Sequence, residues 1–246
     1  MVVQISSRLQ SLLGSESRVV VFTGAGVSVE SGIPTFRGPD GLWKKYRAED
    51  LATMQAFQAN PKLVWEWYNS RRENMLQVEP NPGHRAMAAF EQHFQEFMLV
   101  TQNIDGLHDR AGSRKILKLH GDIWEVRCVE CGVSRIDQTV PMDPLPPHCQ
   151  CGGLLRVGVV WFGEMLPPGV FENAMEVTRN CDLFFSVGTS AVVYPAAYLP
   201  QLAKTHGAYV VEVNLEPSAA ADYADEFLPG KSGEILPEIQ KMLKLP

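Results

Sequence analysis

Residues 18–37 read RVVVFTGAGVSVESGIPTFR. The run before Thr23 is apolar and rich in β-branched side chains, which predicts a buried strand. Gly24-Ala25-Gly26 follows at once. A glycine turn between a strand and a helix lets the backbone approach a ligand closely and presents unpaired N–H groups to a phosphate. The turn therefore predicts a nucleotide site, although Val29 stands where G-x-G-x-x-G has its third glycine. A tight turn without a ligand is the alternative.

The rest of the chain repeats the alternation of strand and helix. Short apolar runs predict strands at 97–101, 116–119, 183–187 and 209–213. Amphipathic runs predict helices at 61–77, 84–94, 171–179, 195–205 and 232–243. This order predicts an α/β fold with a mostly parallel sheet. Residues 33–50 are rich in glycine, proline and charge, which predicts a mobile loop.

Four of the five cysteines lie in one short segment that interrupts this pattern. Cys128, Cys131, Cys149 and Cys151 form two close pairs, and Cys181 stands apart. Two close pairs can supply four thiolates to a tetrahedral zinc ion, and four protein ligands make such a site structural. His148 could replace Cys149, and four unrelated thiols are the alternative. Cys181 is most simply a small buried apolar residue.

Polar residues follow several predicted strands, at the edge of an open α/β sheet where ligands bind. They are Thr101 to Asp105 (TQNID), His120-Gly121, Gly188-Thr189-Ser190 and Asn214-Leu215-Glu216. Amide and carboxylate groups there can bind ribose hydroxyls or a carboxamide, and a histidine can act as a general base. Each segment alone could equally be a capped turn. Residues 159–164 (VVWFGE) could form a buried strand or an exposed edge that pairs with a peptide.

Composition excludes two other classes of protein. The 246 residues carry a net charge of -6, which does not resemble a basic nucleic-acid surface. No apolar run approaches the length needed to cross a bilayer, and the N-terminus lacks a signal-peptide pattern. We therefore expect a cytoplasmic protein with no direct nucleic-acid or membrane partner. The oligomeric state is left open, and a monomer is consistent with the sequence.

Taken together, these segments resemble the sirtuin family over nearly the whole chain. GAGVSVESGIPTFR at 24–37, TQNID, LHG, the four cysteines, VVWFGE, GTS and the late NLE follow in the family's order. The resemblance implies one catalytic domain over 1–246, with a Rossmann-like sheet, a helical subdomain, a zinc-module insert at about 123–157 and a mobile cofactor loop at about 33–50. It also implies a reaction that consumes NAD and an acyl-lysine protein or peptide and releases nicotinamide, free lysine and an O-acyl-ADP-ribose.

The family's functional residues carry over by motif. His120 and Asn103 would be catalytic, with His120 as the base. Val160 and Phe162 would line the tunnel for the lysine stem, while the 159–164 backbone pairs with the peptide. The implied NAD-binding residues are Gly24, Ala25, Gly26, Thr35, Phe36, Arg37, Gln102, Asn103, Ile104, Asp105, Gly188, Thr189, Ser190, Asn214, Leu215, Glu216 and Ser232.

Three further residues bear on the acyl group. Tyr68 and Arg71 are three residues apart, so they share a face of the predicted helix and could clamp a carboxylate. Spacing alone favours a packed tyrosine and a solvated arginine. The resemblance favours the sirtuin branch that removes succinyl and malonyl groups, in which a small Ala52 leaves room for a longer chain. An NAD glycohydrolase or ADP-ribosyltransferase, and a non-enzymatic zinc module that senses NAD, are the competing functions.

Overall fold

The computed structural model describes residues 3–36, 41 and 47–245. Its helices are α1 (Ser7–Ser11), α2 (Ala48–Leu51), α3 (Met54–Ala59), α4 (Pro61–Leu76), α5 (Pro82–His93), α6 (Leu107–Ala111), α7 (Val170–Asn180), α8 (Leu199–Thr205) and α9 (Ser232–Met242). Its strands are β1 (Arg18–Thr23), β2 (Glu96–Thr101), β3 (Ile116–Lys118), β4 (Gly121–Cys128), β5 (Ser134–Ile136), β6 (Leu155–Val159), β7 (Leu183–Val187), β8 (Tyr209–Asn214) and β9 (Glu226–Pro229). Among the described residues, 3₁₀ helices cover Ala25–Ser31, Ala196–Tyr198 and Ala221–Tyr223.

Six strands form one parallel sheet in the order β3-β2-β1-β7-β8-β9. The strand order reverses between β1 and β7, which pair with each other in register from Val19 with Leu183 to Thr23 with Val187. Ligands of open α/β sheets bind at such a switch point, beyond the carboxyl ends of the strands. The predicted glycine turn at Gly24 and the Gly188 turn therefore lie side by side at the expected position.

Apolar residues cover both faces of this sheet, as a parallel sheet requires. One cluster joins β1 and β7 to α5 and α9 through residues such as Val21, Phe90 and Ile239. A second cluster, with Phe22 and Phe184, packs on the opposite face against α7 and α8. The predicted α/β fold with a Rossmann-like parallel sheet is confirmed.

The smaller antiparallel sheet has the order β5-β4-β6 and spans 121–159, close to the predicted insert at 123–157. A third apolar cluster packs this sheet against α3 and α4, with Phe57, Trp65 and Trp161 at its centre. The predicted acyl-binding helix is therefore attached to the same unit as the cysteines.

The observed elements differ from the prediction at several places. The prediction did not include the short helices α1, α2, α3 and α6 or the strands β4, β5, β6 and β9. β9 was not predicted, because its sequence EFLP is short and contains a proline, which strands accept only at edges. The helix predicted at 195–205 is divided into a 3₁₀ turn and α8, and Pro200 occupies the first turn of α8. The segment after Gly24 is a 3₁₀ helix rather than an α-helix.

The predicted loop at 33–50 is described only in part. Its residues 37–40 and 42–46 lie outside the described residues, and α2 begins at Ala48. Among the described helices, none is long and apolar enough to span a membrane.

Candidate active site

A cavity of about 720 Å³ lies beyond the carboxyl ends of β1, β2, β7 and β8 and reaches the end of β6. The polar segments predicted from separate strand ends therefore meet in one place. The predicted site residues that line it are Gly24, Ala25, Gly26, Thr35, Phe36, Ala52, Tyr68, Gln102, Asn103, Ile104, His120, Val160, Phe162, Gly188, Thr189, Ser190, Asn214, Leu215 and Glu216.

Three predicted site residues do not line this cavity, and a fourth is not described. Asp105 is buried beneath the cavity, where its carboxylate accepts a hydrogen bond from Ser28 Oγ at 2.7 Å. Ser232 is also buried, and its hydroxyl donates to Glu30. Arg71 is buried and is not among the described residues that line the cavity. Arg37 lies outside the described residues.

The two glycine turns at the switch point touch each other. The Gly26 amide donates to the Gly188 carbonyl at 2.8 Å. A Cβ at Gly26 would lie 2.6 Å from that carbonyl oxygen, and one at Gly188 would lie 2.6 Å from the Val27 nitrogen. Gly188 also has φ of +57°, a conformation that favours glycine. The glycines thus let the two turns pack backbone against backbone, and the floor that they form has room for a diphosphate group.

Amide side chains define the next part of the cavity. The Asn103 amide nitrogen donates to the Gly24 carbonyl at 3.0 Å, which leaves the side-chain Oδ1 as the acceptor that Asn103 can offer. Gln102 donates to Thr189 Oγ1 at 2.8 Å and so joins the end of β2 to the turn after β7. Burial raises the pKa of Asp105, although hydrogen bonds from the Leu107 amide and Ser28 oppose this effect.

His120 lies in the turn between β3 and β4. Its Nδ1 is 3.0 Å from the Gln102 carbonyl oxygen. A carbonyl only accepts hydrogen bonds, so Nδ1 carries the proton and the neutral ring keeps its basic lone pair on Nε2. The His120 carbonyl in turn accepts from the Val160 amide at 2.9 Å. The histidine is therefore held in the tautomer that a general base requires.

Ala52, Trp67, Tyr68, Trp161 and Phe162 line one end of the cavity, and the guanidinium of Arg71 lies behind it. Tyr68 is 2% exposed and its hydroxyl accepts from Trp161 Nε1 at 2.9 Å. Burial raises the pKa of Tyr68 to about 12, so the phenol stays protonated and able to donate.

Arg71 is 8% exposed, and its Nε and Nη1 have no hydrogen-bond partner among the described residues. Its guanidinium lies 4.8 Å from the centre of the Phe36 ring and 4.9 Å from that of Trp67. Burial lowers the pKa of Arg71, while the fields of Tyr68 and Asp105 act in the opposite direction. Arginine nonetheless remains a cation in proteins, so this end of the cavity holds a buried positive charge whose Nε and Nη1 are unsatisfied among the described residues.

Residues 160–164 are not a strand, because β6 ends at Val159. The segment instead turns along the cavity, and the Phe162 amide donates to the Ala52 carbonyl at 2.9 Å. The Trp161 amide donates to Glu164, whose carboxylate forms an ion pair with the buried Arg156. Several backbone amides of this segment thus already donate hydrogen bonds within the protein. Pairing with a peptide would therefore rely mainly on the carbonyl groups of residues 160–164.

The four clustered cysteines form a site for one metal ion at the end of the antiparallel sheet. Their sulfur atoms all lie within 4.8 Å of one another. Cys128 Sγ is 3.5 Å from Cys151 Sγ, and Cys131 Sγ is 3.8 Å from Cys149 Sγ. Tetrahedral zinc with Zn–S bonds of about 2.3 Å needs sulfur–sulfur distances of about 3.8 Å. The donor set therefore fits one structural zinc ion, with Cys149 rather than His148 in the cluster.

Several lining residues were not predicted. Trp67, Trp161, Glu164, Val193 and Tyr194 all face the cavity. Trp161 and Glu164 lie inside the VVWFGE segment, and Trp67 is next to Tyr68. Their position within or beside a motif could therefore have predicted that they line the cavity. Val193 and Tyr194 follow the Gly188-Thr189-Ser190 turn by a few residues, and no spacing rule points to them.

Fold and site together define a nucleotide-binding α/β protein with an attached zinc-binding unit. Comparison with known proteins identifies the family within this class. The model of the Sir2 family matches residues 24–195. An NAD-dependent protein deacylase from Aquifex aeolicus is 52% identical over 227 residues, which cover 92% of this chain and 95% of the relative. The chain belongs to the Sir2 family, the family of the sirtuins.

Solved structures agree with this assignment. A Sir2 homologue in complex with NAD is 45% identical, with a TM-score of 0.90 and coverage of 98% of this chain and 95% of that one. A triple mutant of a Sir2 homologue in complex with 2'-O-acetyl-ADP-ribose gives the same identity and TM-score, with coverage of 98% and 97%.

Proposed function

We propose that this chain is an NAD-dependent protein-lysine deacylase that removes acetyl groups and also acidic acyl groups such as succinyl and malonyl. The observation that carries the proposal is one cavity that joins the glycine turns, His120 and the Tyr68 pocket. The family assignment and the deacylase relatives support the general reaction. The acidic-acyl preference rests on Tyr68 and Arg71.

The cavity offers a position for each part of NAD. Gly24, Ala25 and Gly26 would hold the diphosphate, because they line the cavity and the two glycines bring no side chain of their own to it. Ser190, Asn214 and Glu216, at the ends of β7 and β8, would hold the adenosine end. At the nicotinamide end, Gln102, Asn103 and Ile104 would line the pocket, with Asp105 supporting them from below.

The chemistry required of the protein is mainly positioning. NAD supplies a sugar carbon whose bond to a cationic nicotinamide is already labile. Val160 and Phe162 would guide the lysine stem so that the acyl oxygen meets that carbon, and such alignment can account for a large part of a rate enhancement. Phe36 would keep water away from the sugar. Nε2 of His120 would accept the proton of a ribose hydroxyl as that hydroxyl attacks the acyl carbon. The lysine amine then leaves, and one water molecule adds to complete the O-acyl-ADP-ribose.

A carboxylate on the acyl chain would supply what the pocket lacks. Two nitrogen atoms of Arg71 are buried without hydrogen-bond partners in the part of the chain that the structure describes, and the protonated Tyr68 hydroxyl can donate a further bond. Hydrogen bonds to charged groups are worth about 1.5–3 kcal/mol, so the clamp would favour a succinyl over an uncharged acyl group by roughly tenfold to a hundredfold. Ala52 is small and leaves space beside Tyr68 for the longer chain.

The test is turnover of one peptide carrying either acetyl-lysine or succinyl-lysine, measured by mass spectrometry with and without NAD. We expect NAD-dependent loss of both groups, and Arg71→Met should lower succinyl kcat/KM at least tenfold while acetyl turnover changes little. Arg179→Met is the matched control, because Arg179 is exposed on α7 away from the cavity.

Each other outcome changes the assignment. Unchanged succinyl turnover by Arg71→Met would refute the acidic-acyl site. Loss of acetyl alone from the wild-type peptides would leave a deacylase without that site. Consumption of NAD with both peptides intact would instead indicate an NAD glycohydrolase or an ADP-ribosyltransferase.

A further inference from the structure

The turn that carries His120 is closed by a pair of charged side chains. Lys118 is the last residue of β3, and Asp122 is the second residue of β4. Their side chains meet across the turn, with Lys118 Nζ 2.7 Å from Asp122 Oδ2. Asp109 of α6 accepts a second bond from the same ammonium group at 2.8 Å. The ion pair therefore brackets His120 on both sides in the sequence.

This cluster differs from a surface ion pair. The side chain of Asp122 is 10% exposed and that of Lys118 is 28% exposed. Burial disfavours the charge on Lys118, but attraction and hydrogen bonds from Asp122 and Asp109 outweigh it and raise the pKa of the ammonium group. The second oxygen of Asp122 accepts from the Trp124 amide at 2.8 Å, so the carboxylate is fixed to β4. Pairs held in this way define a geometry more tightly than exposed ones.

The bracketed turn is also a junction. β3 belongs to the parallel sheet, whereas β4 belongs to the antiparallel sheet that holds the cysteines. Gly121 makes the change of direction with φ of +75°, and a Cβ there would lie 2.1 Å from the Gly158 carbonyl oxygen. His120 therefore sits where the two sheets meet, and the Lys118–Asp122 pair ties one sheet to the other directly across it.

We propose that Lys118 and Asp122 are positioning residues for His120, which hold its imidazole where it can accept the ribose proton. Neither residue is among the described residues that line the cavity, so both act through the turn. The inference rests on the proposed general-base role of His120. Misplacement of a catalytic group by about 1 Å can cost up to about a hundredfold in rate.

Two measured rates, nicotinamide exchange and complete deacylation, distinguish a role in positioning His120 from a general role in stabilising the fold. Release of nicotinamide precedes the step that needs the base, so exchange of labelled nicotinamide into NAD, with acyl-peptide bound, reports the early step alone. Complete deacylation reports both steps. Loss of the clamp should therefore lower kcat for deacylation while the exchange rate and the KM for NAD are maintained.

The experiment compares Lys118→Met, Lys118→Arg and Asp122→Asn with wild type in both assays on acetyl-peptide. Asp122→Asn preserves shape, so it provides the test if Lys118→Met does not fold. Lys241→Met is the matched control, because Lys241 forms an exposed ion pair with Glu238 on α9. His120→Ala is the reference for loss of the base.

We expect Lys118→Met and Asp122→Asn to lower deacylation about tenfold with exchange within twofold of wild type, and Lys118→Arg to restore most of the rate. Equal loss in both assays would show that the pair supports the fold in general and would overturn the inference, as would no loss in either assay. If His120→Ala itself kept full deacylation, the base assignment would fail. If only His120→Ala lost deacylation, the positioning role of the Lys118–Asp122 pair would be refuted and the proposed role of His120 as the base would stand.

Discussion

Replacing Gly26 by alanine tests whether the two glycine turns form the floor of the NAD site. The new Cβ would lie 2.6 Å from the Gly188 carbonyl oxygen and 2.9 Å from its Cα, and both are backbone atoms that cannot swing aside. An ordinary contact requires about 3.4 Å, so the turns must separate by close to 1 Å. The bond from the Gly26 amide to that carbonyl, 2.8 Å long, would be lost or lengthened.

The expected cost of Gly26→Ala is the sum of two effects. Overpacking costs about 1–3 kcal/mol and a lost hydrogen bond about 1 kcal/mol, so the folded state should lose at least about 2 kcal/mol. In a chain of 246 residues, that loss lowers Tm by about 4–8 °C. A displaced floor should also weaken NAD binding, and a shift near 1 Å can cost about a hundredfold in kcat/KM.

Thermal unfolding and the KM for NAD measure the two consequences of Gly26→Ala separately. Gly14→Ala is the control, because the three atoms nearest to a Cβ at Gly14 all belong to the flexible side chain of Glu16. A Gly26→Ala protein with the wild-type Tm and KM would show that the turns can separate without effect, and the floor would then have no role in holding the diphosphate.

Two further predictions concern stability. Cys131→Ala should reduce bound zinc from one ion per chain to none and expose 128–151 to limited proteolysis, because three cysteines cannot close a tetrahedral site; one retained zinc with an unchanged digest would contradict this. His84 is fully buried, both ring nitrogens have no hydrogen-bond partner among the described residues, and burial followed by the neighbouring His108 lowers its pKa to about 2. Only the unfolded chain takes up this proton below about pH 6.5, so His84 should destabilise the fold by about 2 kcal/mol at pH 5. The Tm of His84→Leu should therefore fall less between pH 7 and pH 5 than the Tm of the wild type. An equal fall in both proteins would show that His84 is not held neutral in the fold.

Much of the parallel sheet was predictable because its strands are short apolar runs with few polar residues. β1, β2, β7 and β8 were each found within one residue of their observed ends. β9 could not be found this way, because it has only four residues and includes Pro229. An edge strand of this kind is recruited by its neighbour β8 rather than by its own sequence pattern.

The site was predictable where a motif supplies backbone or a strand end. Strand ends of a parallel sheet converge, so residues after β1, β2, β7 and β8 had to meet. Asp105 and Ser232 show the limit of this reasoning. The resemblance placed Asp105 at the nicotinamide end of NAD and the backbone near Ser232 at the adenosine end, and in the structure the side chains of both residues are buried and hydrogen-bonded, to Ser28 and Glu30. Which side of a turn a polar residue faces depends on packing that spacing does not encode.

The burial of Arg71 gives a final prediction that links stability to specificity. A buried cation without a full set of partners destabilises a fold, and an apolar replacement of similar size often stabilises it by about 1 kcal/mol or more. The Phe36 and Trp67 rings offset only part of this cost. Arg71→Met should therefore raise Tm by about 2–4 °C in the same protein that loses succinyl turnover. Such a trade is expected at a binding site that is left unsatisfied until its ligand arrives. A lower Tm would instead assign Arg71 to packing, and the case for a carboxylate partner would lose its physical basis.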